Sequence, residues 1–185
     1  NNIPVVVTIL VLRSDIEQDP EDVLDWVESE LEDYPMFVKP ANLGSSVGIS
    51  KVNSRADLIE GLLEAASYDR RVVVQRGLNV REIEVSVIGN DQPEASVCGE
   101  VLPGAEFYSY DAKYHDASSK TVIPAEIPDE LSNRIRRLAV KAYKACDLAG
   151  MARVDFFLDK DSGEVYLNEL NTIPGFTQIS MYPML

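Results

Sequence analysis

The sequence predicts an α+β fold, because segments with the periods of strands and of helices follow one another in irregular order. Residues 82–88 and 153–158 alternate between two kinds of side chain, which is the period of a strand. Residues 128–149 instead carry an apolar stripe with the period of an amphipathic helix. The strands and helices do not alternate regularly, so α+β describes the chain better than a parallel α/β fold.

The elements of the first half follow from apolar runs and from helix start signals. Asp19 before Pro20 predicts one helix start, and Ser54 with Asp57 predicts another. The predicted strands are residues 3–13, 36–39, 49–52 and 72–75, and the second helix spans residues 54–66. The apolar stripes of the two helices are Val23, Leu24, Val27 and Leu31 in the first and Leu58, Ile59, Leu62 and Leu63 in the second.

The second half contains strands at residues 82–88 and 97–102, followed by a polar and aromatic stretch at residues 103–120. A long irregular stretch in a compact domain is usually a binding loop or a lid, which is our expectation here. The helix over residues 128–149 is expected to end at Gly150. Residues 153–171 then predict a β-hairpin whose turn is the polar segment 159–163.

The composition limits the partners and the compartment. The chain has 185 residues and a formal net charge of -14, which argues against nucleic acid and against anionic membranes as partners. The apolar run at residues 5–12 is too short to span a bilayer. Cys98 and Cys146 lie far apart, so we expect free thiols and a cytoplasmic protein. Because the chain starts at Asn1 and stops inside the apolar run 181–185, we also expect a longer protein.

The predicted hairpin carries a candidate metal site. Glu169 and Asn171 lie two positions apart at the end of its second strand, so they point to the same face. Asp155, early on the first strand, would lie roughly opposite them and close to the cation Arg153. Hard oxygen ligands without His or Cys suit Mg²⁺, which usually binds together with phosphates. The alternative is a solvated acidic face of the hairpin.

A loop of small residues at positions 43–48 is a candidate phosphate-binding loop. Its glycines allow backbone N–H groups to approach phosphate oxygens, and Ser45 and Ser46 add hydroxyl donors. The loop lacks the lysine of a P-loop, so an ordinary turn is the alternative. Lys39, at the end of the strand before the loop, becomes a candidate phosphate contact beside it.

Lys113 and Tyr114 are further candidates, because they lie in the aromatic stretch at residues 103–120. The alternative is a surface loop that packs its tyrosines. His115, the single histidine, is assigned no role, since nothing near it in sequence pairs with it for nucleophilic catalysis or metal binding.

Five sequence motifs follow one another in a specific order. They are F-V-K-P-x-x-L-G-S-S-V-G, R-E-I-E-V, F-Y-S-Y-D-A-K-Y, A-R-V-D-F-F-L and N-E-L-N-T-I-P-G-F-T. Each motif alone is modest evidence, but the ordered set is highly specific and covers nearly the whole chain, residues 4–185. By this set the chain strongly resembles the D-alanine–D-alanine ligases, which are ATP-grasp enzymes.

The resemblance implies a fold and an activity. The fold would be an α+β ATP-grasp fold of two subdomains, residues 1–76 and 77–185, with ATP bound between them. The N-terminal substrate domain and the C-terminal end of the family would be absent. The activity would be ADP-forming ligation of two D-alanines to D-alanyl-D-alanine through an acyl phosphate, for peptidoglycan precursors. The implied cofactors are ATP and two Mg²⁺ ions, with Mn²⁺ as an alternative ion, and a homodimer stays open.

The resemblance also implies roles for individual residues. Asp155, Glu169 and Asn171 would be the ligands of the two Mg²⁺ ions. The ATP contacts would be Lys39, Ser46, Gln75, Arg76, Leu78, Glu82 and Lys113, with Glu82 on the ribose. The reacting groups would be held by Arg153, the Gly175 backbone, Ser45 and Tyr114, with Ser180 at the carboxylate of the second D-alanine. Gln75 departs from the family, which often has a glutamate there, so backbone groups of Arg76 and Leu78 are the alternative adenine contacts.

Two other functions are alternatives. The first is another ATP-grasp carboxylate–amine ligase, against which Tyr114 and the sequence I-P-G-F-T argue. Within the family, ligases that make D-alanyl-D-lactate or D-alanyl-D-serine usually depart from this tyrosine. The second is a nucleotide-binding fragment without activity, because the family's glutamate for the first substrate and a further ATP lysine lie in the part that this chain lacks.

Overall fold

The computed structural model describes residues 2–44, 47–102 and 120–185, and these residues form two compact units. Each unit combines helices with an antiparallel sheet, so the predicted α+β class is confirmed. No helix among the described residues is long and apolar enough to cross a membrane. Cys98 is a buried free thiol and Cys146 an exposed one.

The first unit, residues 6–78, has a sheet in the order β1–β4–β2–β3. Its elements are β1 (Thr8–Leu12), α1 (Arg13–Gln18), α2 (Pro20–Leu31), β2 (Met36–Pro40), β3 (Ser50–Val52), α3 (Arg55–Tyr68) and β4 (Arg71–Arg76). The helices pack on one face of this sheet, where Leu31, Val38 and Leu62 are fully buried. Because side chains alternate along a strand, Lys39 lies on the opposite face of β2 from Val38.

Both predicted helix starts in this unit are confirmed. The Asp19 carboxylate accepts a hydrogen bond of 3.2 Å from the backbone N–H of Asp22, and Pro20 is the first helical residue of α2. The Ser54 hydroxyl accepts an equivalent bond of 3.2 Å from Asp57. These side chains satisfy backbone donors that the first turn of a helix leaves without a partner.

The second unit has a sheet in the order β7–β6–β5–β8–β9, within residues 2–5, 79–102 and 120–185. Its elements are β5 (Val80–Gly89), β6 (Glu94–Leu102), β7 (Lys120–Val122), α4 (Asp129–Ala145), β8 (Gly150–Asp159), β9 (Val165–Asn171) and α5 (Met181–Met184). The long helix α4 packs its buried side chains against one face of this sheet, where Ile83, Val85 and Phe156 lie. The intervening residues of β5 and β8 therefore point to the other face.

Several predicted boundaries were wrong. The first strand is shorter than predicted, since β1 begins at Thr8 rather than at residue 3 and Arg13 already belongs to α1. Helix α4 ends at Ala145, and Asp147, two residues later, takes a left-handed backbone conformation (φ 53°). The helix therefore ends before Gly150 is reached. Gly150 has φ 85° and begins β8 instead. Leu63 was predicted in the apolar stripe of α3 but is 57% exposed.

Four candidate site residues lie outside the described residues, namely Ser45, Ser46, Lys113 and Tyr114. The same holds for nearly all of the predicted loop or lid at residues 103–120, of which only Lys120 is described, as the first residue of β7.

Candidate active site

A row of acidic side chains crosses three neighbouring strands of the second unit. Glu84 on β5 lies opposite Asp155 on β8, and Asp155 lies opposite Glu169 on β9. Residues directly opposite in an antiparallel pair have Cβ atoms about 4.5–5.5 Å apart, so the three carboxylates share one face. This face is the one that α4 leaves uncovered, since α4 packs on the other side.

A second row runs beside the first. Arg153 on β8 lies opposite Ser86 on β5 and opposite Asn171 on β9. Arg153 and Asp155 are two positions apart on β8, as Glu169 and Asn171 are on β9, so all four side chains lie on the same face. The predicted arrangement, with Asp155 opposite the end of the second hairpin strand, is present in this register.

A β-bulge at Asn168 determines which side chains of β9 reach this face. Phe156 pairs with Leu167, but Asp155 pairs with Glu169, so β9 carries one extra residue between the two pairs. A one-residue shift moves side chains to the opposite face of a sheet. Without the bulge, Glu169 would point to the face where Phe156 packs; with it, Glu169 and Asn171 lie beside Asp155 and Arg153.

The Arg153 guanidinium is held by Asp155. Arg153 Nε donates a hydrogen bond of 2.7 Å to Asp155 Oδ1, and Arg153 Nη2 donates one of 2.7 Å to Asp155 Oδ2. Burial lowers the pKa of Arg153, but the bonds to Asp155 and the charges of Asp155, Glu84 and Glu169 outweigh this and raise that pKa above its ordinary value. Arg153 is therefore a fixed cation on the acidic face.

The donor set on this face fits Mg²⁺. Asp155 and Glu169 offer carboxylate oxygens and Asn171 an amide oxygen, which are the hard ligands that Mg²⁺ prefers. Within the described ranges, no three His, Cys, Asp or Glu side chains gather closely enough to hold a metal ion by themselves. The Oδ1 of Asn171, the third predicted ligand, accepts a hydrogen bond of 3.2 Å from the backbone N–H of Ile173.

The segment after β9 brings Gly175 and Ser180 together. The Ser180 hydroxyl accepts a hydrogen bond of 3.0 Å from the backbone N–H of Thr177 and lies 2.8 Å from the Thr177 hydroxyl. A Cβ atom on Gly175 would come within 2.8 Å of Ser180 Oγ, closer than real contacts allow. Glycine at position 175 therefore permits the close approach of its backbone to Ser180.

Glu82 lies on the same face of β5 as Glu84, because the two residues are two positions apart. Its neighbours across the sheet are Val101 on β6 and Phe157 on β8. The side chain predicted to bind the ribose is thus one row away from the carboxylates of Glu84 and Asp155.

In the first unit, Lys39 and Gln75 are joined by a hydrogen bond. Lys39 Nζ donates to Gln75 Oε1 at 3.3 Å, and Gln75 Nε2 donates to Thr8 Oγ1 at 3.2 Å. Thr8 in turn donates to the carbonyl of Val6 at 2.7 Å. This chain of bonds fixes the orientation of the Gln75 amide, which is buried with 8% exposure.

Arg76 and Leu78 follow Gln75 at the end of β4. The backbone N–H of Arg76 donates to the carbonyl of Val7 at 3.1 Å, so this donor is engaged within the sheet. The Arg76 side chain reaches Glu32 at 3.2 Å and the carbonyl of Leu31 at 3.3 Å. Leu78 is half-buried, and both residues remain proposed contacts to the nucleotide.

The sequence prediction did not include Glu84. The alternation over residues 82–88 places Glu84 on the polar side of its strand, but the sequence assigned it no role. In the structure Glu84 is only 8% exposed, and its Oε2 lies 3.0 Å from Arg153 Nε. The sequence alone carries no signal for Glu84, because only the pairing of β5 with β8 places it beside Arg153.

Known proteins of one family match this chain over most or all of its length. Residues 1–185 match the family described as D-ala D-ala ligase C-terminus. The D-alanine–D-alanine ligase of Heliobacterium modesticaldum is 54% identical over 185 residues, which are 100% of this chain and 50% of that protein. The ligase of the same name from Acetivibrio thermocellus is 54% identical over 173 residues, or 94% of this chain and 46% of that protein.

Solved structures show the same fold. The VanG D-Ala:D-Ser ligase from Enterococcus faecalis has a TM-score of 0.84 and 37% identity, covering 98% of this chain and 51% of that one. The D-alanine–D-alanine ligase from Coxiella burnetii has a TM-score of 0.82 and 35% identity, covering 99% and 47%. These neighbours confirm the predicted ATP-grasp fold.

The chain belongs to the D-alanine–D-alanine ligase family, and it matches the C-terminal part of that family. It spans about half the length of the curated relatives that it matches.

Proposed function

We propose that the chain supplies the ATP-binding and reaction-centre residues of a ligase that joins two D-alanines to D-alanyl-D-alanine and converts ATP to ADP and phosphate. Family membership supports this proposal. The observation that carries it is the face of the second unit on which the fixed cation Arg153 lies beside Asp155, Glu169 and Asn171. A cation next to oxygen ligands for Mg²⁺ suits a reaction in which negative charge moves from a phosphate to an acyl group.

The proposed mechanism has two steps. In the first step, the carboxylate of one D-alanine attacks the γ-phosphorus of ATP, which releases ADP and forms an acyl phosphate. In the second step, the amine of the other D-alanine attacks the acyl carbon, and phosphate leaves. Arg153 and the backbone N–H of Gly175 would stabilise the oxyanion that develops on the acyl oxygen.

Asp155, Glu169 and Asn171 would hold Mg²⁺, which when bound neutralises charge on the transferring phosphoryl group. Lys39 and Lys113 would contact the phosphates, with Ser46 as a further donor from the loop at residues 43–48. The remaining contacts to ATP would be Gln75, Arg76, Leu78 and Glu82. Ser45 and Tyr114 would orient the substrates, and Ser180 would bind the carboxylate of the second D-alanine.

The finer features belong to the same proposal. The site would hold two Mg²⁺ ions, with Mn²⁺ as a substitute, and the protein would work in the cytoplasm on peptidoglycan precursors. The subdomain boundaries would be those of residues 1–76 and 77–185. A homodimer and a monomer both suit such an enzyme, and sedimentation velocity distinguishes them.

The test is a product assay with the protein that carries this chain at its natural length. With ATP, Mg²⁺ and D-alanine, we expect ADP, phosphate and D-alanyl-D-alanine in equal amounts, measured by coupled assay and mass spectrometry. Reactions in which D-serine or D-lactate competes with D-alanine test for the other products made in this family. Calorimetric binding of Mg²⁺-ATP without any ligation product would favour a nucleotide-binding fragment and contradict the proposal.

A further inference from the structure

Glu84 is a buried carboxylate to which the proposed reaction assigns no role. It projects from β5 towards β8, opposite Asp155, and is 8% exposed. Its Oε2 lies 3.0 Å from Arg153 Nε, with side-chain exposures of 11% for Glu84 and 21% for Arg153. Burying a carboxylate costs free energy unless a charge or a donor compensates for it. The charge of Arg153 provides this compensation for Glu84.

The two carboxylates contact Arg153 in different ways. Asp155 accepts hydrogen bonds from Nε and Nη2, so it takes one edge of the guanidinium plane. The Nε–H bond is directed at Asp155, and Glu84 therefore acts on Nε through charge rather than through a second hydrogen bond. Since both carboxylates lie on the Nε side, Nη1 is the corner of the guanidinium directed away from Asp155.

Asp155 has two tasks in the proposed function. It orients Arg153, and it is a proposed ligand of Mg²⁺, which competes for the same two oxygens. A metal bound to Asp155 weakens its hold on the guanidinium, because each oxygen then shares its electron density with the ion. Glu84 reaches Arg153 from the neighbouring strand, so it can hold the cation while Asp155 binds metal.

We propose that Glu84 is a positioning residue for Arg153, which keeps the guanidinium directed at the reacting acyl group when Asp155 turns its oxygens to Mg²⁺. This inference rests on the proposed function. In this role Glu84 acts on the reaction through Arg153 rather than by binding substrate or metal itself. Asp155 on β8 would then bind the ion, and Glu84 on β5 would hold the guanidinium of Arg153.

The test is the variant Glu84→Gln, which keeps the shape of the side chain and removes its charge. We expect kcat to fall by about 10- to 100-fold, by analogy with the loss of a group that holds a metal ligand in place. The KM values for ATP and D-alanine and the Mg²⁺ concentration for half-maximal rate should stay within about twofold, since ground-state binding is untouched. Glu84→Asp should recover part of the rate. The control Glu164→Gln removes an exposed partner of Arg134 and should leave kcat unchanged.

A double-mutant cycle separates positioning from a structural role. If Glu84 acts through Arg153, Glu84→Gln should cost little more once Arg153→Lys is present, because the two changes are not additive. Equal costs in both backgrounds would overturn the proposal, as would an unchanged kcat in Glu84→Gln. Recovery of the rate by excess Mg²⁺ would also overturn it, because Glu84 would then support the metal.

A measurement that does not depend on catalysis tests the positioning role of Glu84 separately from the proposed function. The NMR signal of Arg153 Nε–H should exchange faster with water in Glu84→Gln than in the parent, with Mg²⁺ and an ATP analogue bound. An unchanged exchange rate would contradict the positioning role, whatever the activity. An absence of ligation by the parent protein, with the exchange effect present, would instead contradict the proposed function alone.

Discussion

Arg153 and Asp155 lie two residues apart on one face of β8 and are joined by two hydrogen bonds of 2.7 Å. The pair places a cation beside a proposed ligand of Mg²⁺. One rigid strand therefore carries both the group proposed to stabilise the oxyanion and a group proposed to bind the metal.

Replacement of Arg153 by lysine tests its proposed part in the transition state. Lysine keeps the charge but loses the planar fork. We expect kcat to fall by roughly 10²–10³, the range for the loss of an oxyanion donor, with little change in the KM for ATP. Steady-state kinetics over a range of Mg²⁺ concentrations measures this, with Arg134→Lys as the exposed control. Full recovery by excess Mg²⁺ would show that Arg153 only supports the metal site.

Replacement of Asn171 by alanine tests the metal site. The change removes the amide oxygen and leaves the carboxylates of Asp155 and Glu169 in place. We expect the Mg²⁺ concentration for half-maximal rate to rise by more than about tenfold, which is the lower range for loss of a group that merely supports a metal ligand. Asn79→Ala, the same change at an exposed position, is the control. An unchanged Mg²⁺ requirement would remove Asn171 from the ligand set.

Lys39 and Gln75 allow a test of phosphate binding in the first unit. Lys39→Met should weaken ATP binding by about tenfold or more, since a hydrogen bond to a charged group contributes about 1.5–3 kcal/mol. Gln75→Glu should weaken it less, because the new carboxylate partly neutralises the Lys39 ammonium that contacts Gln75 Oε1. Calorimetry with ATP and with adenosine measures both effects, and Lys144→Met is the control. Equal losses for ATP and adenosine would show that charge is not the cause.

Asp69 gives the first unit a contribution to stability that depends on pH. The backbone N–H of Arg71 and, despite partial burial, the donors of Asn42 lower the pKa of Asp69. A carboxyl group with a lowered pKa stabilises the folded state above its unfolded pKa and loses that effect as the pH falls through its folded pKa. We therefore expect Asp69→Asn to lower the melting temperature at neutral pH.

The difference in melting temperature between the parent and Asp69→Asn should shrink as the pH falls below about 4. Thermal unfolding followed by circular dichroism at several pH values measures it. Asp91→Asn, at an exposed position, is the control. A difference that stays constant down to the acid range would show that the charge of Asp69 is not what stabilises the fold.

The sequence predicted those parts of the fold that depend on local chemistry. Asp19 and Ser54 cap their helices as predicted, because a capping side chain bonds to its own first turn. The apolar alternation of β5 is also confirmed, with Ile83, Val85 and Val87 fully buried. Such features need no information about distant parts of the chain.

Features without a distinctive local signal, or that depend on distant contacts, were predicted less well. Helix α1 was missed because its first turn has no capping side chain, and Leu12 precedes it in a run of apolar residues. The role of Gly150 was wrong, since a glycine after a helix and a glycine before a strand look the same in sequence. Glu84 became notable only when the pairing of β5 with β8 placed it beside Arg153.

The single extra residue at Asn168 makes this half of the hairpin sensitive to chain length rather than to side-chain identity. Many substitutions at Asn168 would leave the pairing of Asp155 with Glu169 intact. A one-residue deletion there would instead shift the pairing register of the following residues of β9 by one position against β8. Glu169 and Asn171 would then exchange faces with their neighbours, although every proposed ligand would still be encoded. Gene variants of this protein should accordingly accept amino-acid changes at Asn168 far more readily than in-frame deletions.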